Sequence, residues 1–249
     1  MREIADLVVV IFPFEEAIYR DAGIPVTFVG HPLIDLARTT DKAEFLRRHG
    51  LSLSSPIVAV LPGSRANEVT RILPDLVRAA AIIRTRVPGL QVVIARAPDL
   101  DDRLFDIART GHAGSIPIVE GETDAILAAA DVALTASGTA TVQTAIHDTP
   151  MVIVYRVSPL TYRLGRRLLT VDTFGMVNLL AGTKIVPELI QSAFTPEAVA
   201  AEAIAMLTDR ARRQQVKDGL ALVRERLGGP GASRRAAEAI MQVVKARRG

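Results

Sequence analysis

The sequence contains no cysteine among its 249 residues, which excludes disulfide bridges and thiolate metal sites. This absence is typical of proteins in a reducing compartment. Long hydrophobic runs are also missing: no apolar stretch reaches the roughly 20 residues that a membrane-spanning helix needs, and the first residues lack the pattern of a secretory signal. We therefore expect a chain that neither crosses a membrane nor is exported.

Aromatic residues make up only 4% of the sequence, and basic side chains form no stripe interleaved with them, so no nucleic-acid partner is expected. The charges nearly balance, since the sequence contains 30 lysine and arginine residues and 27 acidic residues. Arginine supplies most of the positive charge. Such arginines suit phosphate-bearing ligands or an anionic lipid surface. The four histidines show no metal-ligand spacing, so we predict no metal site.

Short aliphatic runs alternate with segments of helical apolar spacing, and hydrophobic residues make up 49% of the chain, enough for a buried core. The predicted strands are Ile57 to Leu61, Gln91 to Ala95, Ile116 to Val119, Val132 to Leu134 and Met151 to Tyr155. This alternation predicts an α/β fold, a Rossmann-like parallel sheet with flanking helices. From Pro196 onward the sequence is rich in alanine and arginine, which predicts two packing helices separated by residues 228–231.

One apolar segment does not fit this sheet. Ala5 to Phe12 is a nearly continuous hydrophobic run, typical of a strand buried on both faces. The stretch from Gly23 to Pro32 that follows has the composition of a linker. We expect the strand to belong to a sheet that this chain does not contain.

In open α/β sheets, ligands bind beyond the carboxyl ends of the strands, so the loops after the strands are the candidate sites. Gly63, Ser64 and Arg65 follow the strand Ile57 to Leu61. The glycine permits close approach to the backbone, and the arginine brings a permanent, forked cation to the strand end. Taken alone, Arg65 could equally form an ordinary surface ion pair.

A second candidate loop follows the strand Val132 to Leu134. Ser137, Gly138 and Thr139 open a helix there, so that free N–H groups and the positive end of the helix dipole favour an anion. Ser137 or Thr139 could instead be an ordinary N-cap. Because both loops lie at strand ends of one sheet, together they predict a diphosphate pocket.

Gln143 lies one helical turn after Thr139, where its side chain could reach a sugar hydroxyl beside the phosphates or remain solvated. A nicotinamide site is disfavoured, because no strand is followed by the Gly-x-Gly-x-x-Gly pattern. No Ser-His-Asp arrangement can be argued either.

A basic amphipathic helix is predicted to begin at Ser158 and Pro159. One of its faces carries leucines and another carries arginines, namely Leu160, Leu164 and Leu168 against Arg163, Arg166 and Arg167. The leucines could pack in the core with the arginines solvated, or the helix could lie on an anionic membrane.

Several stretches in this order resemble the lipid-A-disaccharide synthases: FPFE (12–15), FVGHPLID (28–35), LPGSRANEV (61–69), TASGTAT (135–141), PMVIVYRVSP (150–159), NLLAG (178–182) and VPELIQ (186–191). The resemblance covers most of the chain. It implies a GT-B glycosyltransferase, in which two Rossmann-like domains face each other across a cleft and the second holds most of the nucleotide sugar.

By this resemblance, the enzyme transfers 2,3-diacylglucosamine from UDP-2,3-diacylglucosamine to 2,3-diacylglucosamine 1-phosphate. The products are the β-1,6-linked lipid A disaccharide 1-phosphate and UDP, and the reaction uses neither a metal nor another cofactor. The resemblance further implies a cytoplasmic protein, peripherally associated with the inner membrane of a Gram-negative bacterium. A homodimer is a further expectation.

The resemblance also assigns roles to residues. It implies that Ser137, Gly138 and Thr139 cradle the UDP diphosphate and that Arg65, the essential arginine of the family's PGSR loop, offsets charge on the departing UDP. Gly63 and Ser64 line the same loop. Arg156 and Asn178 fall in stretches near the cleft and are expected to bind UDP. Related transferases often carry a glutamate for the ribose hydroxyls where this chain has Gln143.

The resemblance predicts three regions: residues 1–35 as the last strand of an absent N-terminal domain with its linker, 36–195 as the UDP-sugar-binding domain, and 196–249 as C-terminal helices. The acceptor surface and the catalytic base are expected before residue 1, so this chain alone is expected to be inactive. Two alternatives stay open, another GT-B enzyme such as a UDP-GlcNAc 2-epimerase, and a nucleotide-sugar-binding module without chemistry.

Overall fold

The computed structural model describes residues 5–38, 41–110, 116–156 and 175–247. The described residues form two compact units, one made of the residues up to Ala37 together with those from Ala221 onward, the other of Arg38–Leu220. The basic amphipathic helix predicted from Ser158 lies outside the described residues. The region boundaries at residues 35 and 195 stay a prediction.

The elements in chain order are β1 (Val8–Val10), α1 (Pro13–Asp21), β2 (Val26–Phe28), α2 (Leu33–Leu36), α3 (Lys42–Arg48), β3 (Ile57–Leu61), α4 (Ala66–Arg86), β4 (Gln91–Arg96), a 3-10 turn (Asp102–Phe105), α5 (Asp106–Thr110), β5 (Ile118–Glu120), α6 (Thr123–Ala129), β6 (Val132–Ala136), α7 (Thr139–Ile146), β7 (Met151–Tyr155), α8 (Met176–Ala181), β8 (Glu188–Ile190), a second 3-10 turn (Gln191–Ala193), α9 (Pro196–Thr208), α10 (Arg210–Arg226) and α11 (Ala232–Ala246). None of the described helices is both long and apolar enough to cross a membrane.

The larger unit is built on a six-stranded sheet in the order β5-β4-β3-β6-β7-β8, and every neighbouring pair is parallel. All residues of β3 and β6 are buried, because helices cover both faces of a parallel sheet. The predicted α/β class with a Rossmann-like parallel sheet is therefore confirmed. The sequence prediction named five of these strands and missed β8, a half-buried strand of three residues at the sheet edge.

The strand order places the candidate loops together. From β3 the chain runs outward through β4 to β5, then returns to lay β6 on the other side of β3. Such a reversal is the topological switch point, where two neighbouring loops diverge and leave a crevice at the carboxyl edge. The loops that follow β3 and β6 therefore flank this crevice.

The C-terminal region contains one more helix break than predicted. Besides the break at residues 228–231, α9 and α10 are separated at Asp209, whose carboxylate accepts hydrogen bonds from Ala211 N at 2.8 Å and Arg212 N at 3.1 Å. Aspartate is a favoured N-cap because its side chain satisfies N–H groups of the first turn.

The smaller unit corrects the prediction for the N-terminal stretch. Residues 23–32 are not purely a linker, because β2 lies within them and pairs in parallel with β1. The apolar run Ala5 to Phe12 thus finds a strand partner inside the chain. The Asp35 carboxylate accepts hydrogen bonds from Gly231 N at 2.6 Å and from Ala232 N at 2.9 Å. Asp35 therefore caps the N-terminus of α11.

Candidate functional site

A cavity of about 490 Å³ opens at the switch point between β3 and β6. Its walls are the loops after β3, β4, β5 and β6 and the first turns of the helices that follow. The lining residues include Gly63, Ser64, Arg65, Glu68, Arg96, Thr123, Asp124, Ser137, Gly138, Thr139 and Gln143. The structure thus brings together most of the site residues predicted from the sequence.

The β3 loop, defined as Gly63 to Arg65, leads directly into α4. Gly63 has a φ of +119°, which other residues rarely adopt, and a Cβ there would lie only 2.6 Å from Glu68 Oε2. Both the backbone conformation and the lack of space therefore require glycine at this position. Glu68 Oε2 accepts a hydrogen bond from Ser64 N at 3.1 Å, and Oε1 accepts from Arg65 Nη1 at 3.0 Å. The loop's cation and N–H group therefore already face a carboxylate of the chain.

The β6 loop, defined as Ser137 to Thr139, is anchored to the sheet because Ser137 N donates to the Val154 carbonyl at 2.9 Å. Gly138 then takes a φ of +155° as the N-cap of α7, and the space where a Cβ would stand is open to 4 Å. Only glycine adopts such a backbone readily. Gly138 offers no side chain to cap the helix, and Thr139 and Ala140, the first two residues of α7, line the cavity.

Two helix N-termini, those of α4 and α7, therefore meet at one cavity beside the guanidinium of Arg65. Each N-terminus carries about half a positive charge, and backbone N–H groups bind phosphate oxygens directly. Arg65 is 75% exposed, which leaves its side chain free to reorient toward a bound anion. The arrangement is suited to a diphosphate.

Gln143 lines the cavity, and its amide nitrogen donates to Asp124 Oδ1 at 2.7 Å. His147 Nε2 donates to the same oxygen at 2.8 Å. Burial acts to raise the pKa of Asp124, but the hydrogen bonds from Gln143 and His147 outweigh it, so the pKa lies below its ordinary value. Asp124 is thus a firmly ionised carboxylate in the cavity wall.

Arg156 lies elsewhere, and it is not among the described lining residues of the cavity. Its guanidinium pairs with Asp75 and donates to the Phe194 carbonyl at 2.6 Å, with its carbon 4.5 Å from the centre of the Phe194 ring. These contacts hold α4 to the segment after β8. The predicted role of Arg156 in binding UDP stays a prediction.

Asn178 is 1% exposed and uses both ends of its amide inside the protein. Its oxygen accepts from Ile185 N at 2.9 Å and Val186 N at 3.0 Å, and its nitrogen donates to the Val186 carbonyl at 2.9 Å and to Glu188 Oε1 at 2.7 Å. It fastens α8 to the loop that leads into β8. It too is outside the described lining of the cavity, and its predicted binding role is untested.

Sequence reasoning missed Arg96, Glu68 and Asp124 in this cavity. Arg96 ends β4, where it pairs with Glu120 at 3.1 Å and with Asp102. Asp124 stands in the first turn of α6, just after β5. Ligands bind at the ends of parallel strands, and this rule, applied also to β4 and β5, would have predicted Arg96 and Asp124 as site residues.

The sheet order, with its switch point between β3 and β6, is that of a Rossmann-like α/β domain of the GT-B fold. Among solved structures, UDP-GlcNAc 2-epimerase from Neisseria meningitidis bound to UDP-GlcNAc has a TM-score of 0.67 at 12% identity, covering 97% of this chain and 62% of that chain. A glycosyltransferase involved in lipopolysaccharide biosynthesis has a TM-score of 0.59 at 11% identity, over 93% and 62%.

The chain belongs to the lipid-A-disaccharide synthetase family, whose model matches residues 1–244. It is 43% identical over 245 residues to the lipid-A-disaccharide synthase of Syntrophus aciditrophicus, and 42% identical over 246 residues to that of Myxococcus xanthus. These alignments cover 97% and 98% of the chain. The chain spans 64% of the length of each of these relatives.

Proposed function

We propose that this chain carries the UDP-sugar site of a lipid A glycosyltransferase. The enzyme transfers 2,3-diacylglucosamine from UDP-2,3-diacylglucosamine to 2,3-diacylglucosamine 1-phosphate and releases UDP. The observation that carries this proposal is the meeting of Arg65 and two helix N-termini in one cavity at the switch point. Membership of the family supplies the acylated sugars as the substrate class.

In the proposed reaction, an acceptor hydroxyl forms a bond to the anomeric carbon of the donor sugar, the bond from that carbon to the diphosphate breaks, and the hydroxyl proton passes to a base. Negative charge therefore grows on the departing UDP. We expect Arg65 and the first N–H groups of α7, which border the cavity, to stabilise that charge. Such stabilisation lowers the barrier when it is stronger in the transition state than in the ground state.

The direct test is calorimetric titration of the chain with UDP, with GDP as the matched control for a diphosphate on another base. We expect saturable UDP binding at one site. Absence of UDP binding would contradict the proposal, because both loops that form the cavity lie within the chain.

Product analysis separates the proposed activity from the alternatives. Because the chain alone is expected to be inactive, the assay combines it with a separately expressed N-terminal domain. Supplied with acylated UDP-glucosamine and acceptor, this combination should form the disaccharide. Conversion of UDP-GlcNAc to its 2-epimer would instead favour an epimerase, and UDP binding without any product would favour a binding module.

We also propose that the protein works at the cytoplasmic face of the inner membrane, because both substrates carry acyl chains that partition into lipid. Sedimentation with vesicles containing anionic lipid tests this proposal. A homodimer is the remaining proposal on partners, and analytical ultracentrifugation tests it.

A further inference from the structure

The cavity contains an ionised carboxylate that phosphate binding does not explain. Asp124 lines the same wall as the β6 loop, yet a negative charge beside a diphosphate site repels the ligand. A built-in carboxylate in such a cavity therefore suits a neutral, hydrogen-donating part of the ligand.

The acceptor capacity of Asp124 is divided unevenly between its two oxygens. Oδ1 accepts two short hydrogen bonds, from Gln143 at 2.7 Å and from His147 at 2.8 Å. Oδ2 receives the Arg38 N–H at a longer 3.4 Å. Because each carboxylate oxygen can accept about two hydrogen bonds, Oδ2 keeps room for a ligand donor while Oδ1 is held in place.

The contact that Asp124 makes with α7 lies away from the β6 loop. Its partner Gln143 stands four residues after Thr139, which is about 6 Å along a helix axis. A nucleotide whose diphosphate lies on the N-terminus of α7 extends beyond it through the ribose. The ribose of a nucleoside diphosphate offers two neighbouring hydroxyl groups, which are donors that a carboxylate binds well.

We propose that Asp124 recognises the ribose hydroxyl groups of the bound nucleotide, and that Gln143 and His147 are positioning residues that orient its carboxylate. This inference rests on the proposed UDP site and adds the group that selects ribose within it. Asp124 belongs to α6, and Gln143 on α7 orients its carboxylate through a hydrogen bond.

The test compares UDP with 2′-deoxy-UDP by calorimetry on the full chain. Wild-type protein should prefer UDP by about tenfold or more, since a hydrogen bond to a charged group is stronger than one between neutral groups. Asp124→Asn keeps the size of the side chain but removes its charge. We expect it to weaken UDP binding while leaving 2′-deoxy-UDP nearly unchanged, so the preference falls to about threefold or less.

Gln143→Ala provides a second variant that leaves Asp124 in place. It should lower the preference part of the way, because the carboxylate loses one of its orienting donors, whereas a merely structural role would weaken both ligands equally. Asp218→Asn and Gln214→Ala are matched controls, because Gln214 donates to Asp218 Oδ1 at 2.8 Å on α10, away from the cavity. Both controls should keep the wild-type preference.

The outcomes separate this inference from the proposed function. Failure of wild-type protein to bind UDP would contradict the proposed function itself. UDP binding with equal affinity for 2′-deoxy-UDP, or an unchanged preference in Asp124→Asn and Gln143→Ala, would overturn the role of Asp124 and leave the UDP site standing. Tighter binding of both nucleotides by Asp124→Asn would show repulsion alone and would also overturn it.

Discussion

Glu68 holds Arg65 in the structure, with 3.0 Å between its Oε1 and the Arg65 guanidinium, while its other oxygen accepts from Ser64 N at 3.1 Å. The groups best placed to bind a diphosphate in the β3 loop are therefore occupied by a carboxylate of the same chain. A diphosphate must compete with Glu68 for both groups, or bind beside its negative charge.

Replacing Glu68 by glutamine should tighten UDP binding. The amide oxygen can still accept from Ser64 N, but a unit charge is removed, and at a separation of about 6 Å this repulsion is worth about 0.7 kcal/mol even in water. We expect the dissociation constant for UDP to fall by about threefold or more in calorimetric titrations at low salt.

Glu238→Gln is the control for that change, because Glu238 pairs with Arg234 at 2.8 Å on α11 and is not among the described residues of the cavity wall. It should leave UDP binding unchanged. Weaker UDP binding in Glu68→Gln would show that the ionised glutamate holds the β3 loop in its binding form.

Arg65→Ala should weaken UDP binding by at least tenfold with little change in thermal stability. A charge-assisted contact to a diphosphate is worth about 1.5–3 kcal/mol, whereas the exposed ion pair with Glu68 adds little to folding. Isothermal titration and a thermal melt measure the two quantities.

Arg78→Ala is the matched control for Arg65, since Arg78 is an exposed arginine of α4 that pairs with Asp75 at 3.1 Å with the same spacing of three residues. It should bind UDP like the wild type. Equal affinities for Arg65→Ala and Arg78→Ala would remove Arg65 from the site.

Asn178→Ala should destabilise the protein strongly. The substitution leaves the N–H groups of half-buried Ile185 and buried Val186 without the acceptor that they share. Each unsatisfied buried group costs about 1–3 kcal/mol. We expect a loss of about 3 kcal/mol or more in urea unfolding, whereas Gln214→Ala on the exposed side of α10 should cost far less. A stable Asn178→Ala variant that has lost UDP binding would instead support the predicted binding role.

His31 should make the stability depend on pH. Burial lowers its pKa below the ordinary value, and its Nδ1 accepts a hydrogen bond from Leu33 N at 3.2 Å, which requires an unprotonated nitrogen. The unfolded chain therefore binds the proton more readily than the folded protein. The contribution of neutral His31 to the free energy of unfolding is complete above about pH 6.5 and is lost as the pH falls from there toward the pKa of the folded state.

His31→Asn should flatten this dependence, because the asparagine oxygen can replace Nδ1 as an acceptor and does not titrate. Thermal melts between pH 7.5 and 5.5 measure the effect, with His49→Asn as the control histidine. A wild-type slope that persists in His31→Asn would assign the pH dependence to other groups.

The sheet was predictable because its strands are buried on both faces. Such strands appear as continuous aliphatic runs, and Ile57–Leu61 and Met151–Tyr155 were predicted with their observed bounds. Strands β2 and β8 carry no comparable signal, because each has only three residues and none of these is fully buried. The partner of a short edge strand is chosen by tertiary packing.

The fold class and the two loops that face the cavity could be predicted from local sequence alone. Glycine, serine and arginine at strand ends act through backbone geometry and charge, which depend little on the rest of the fold. The partners of the polar side chains, by contrast, depend on how distant segments pack together. Asp124 meets Gln143 across 19 positions of sequence, and Arg156 reaches Asp75 across 81. The partners of Asn178 are likewise a result of packing. Its side chain is buried, and a buried polar side chain must form its hydrogen bonds with the backbone groups that the fold places beside it.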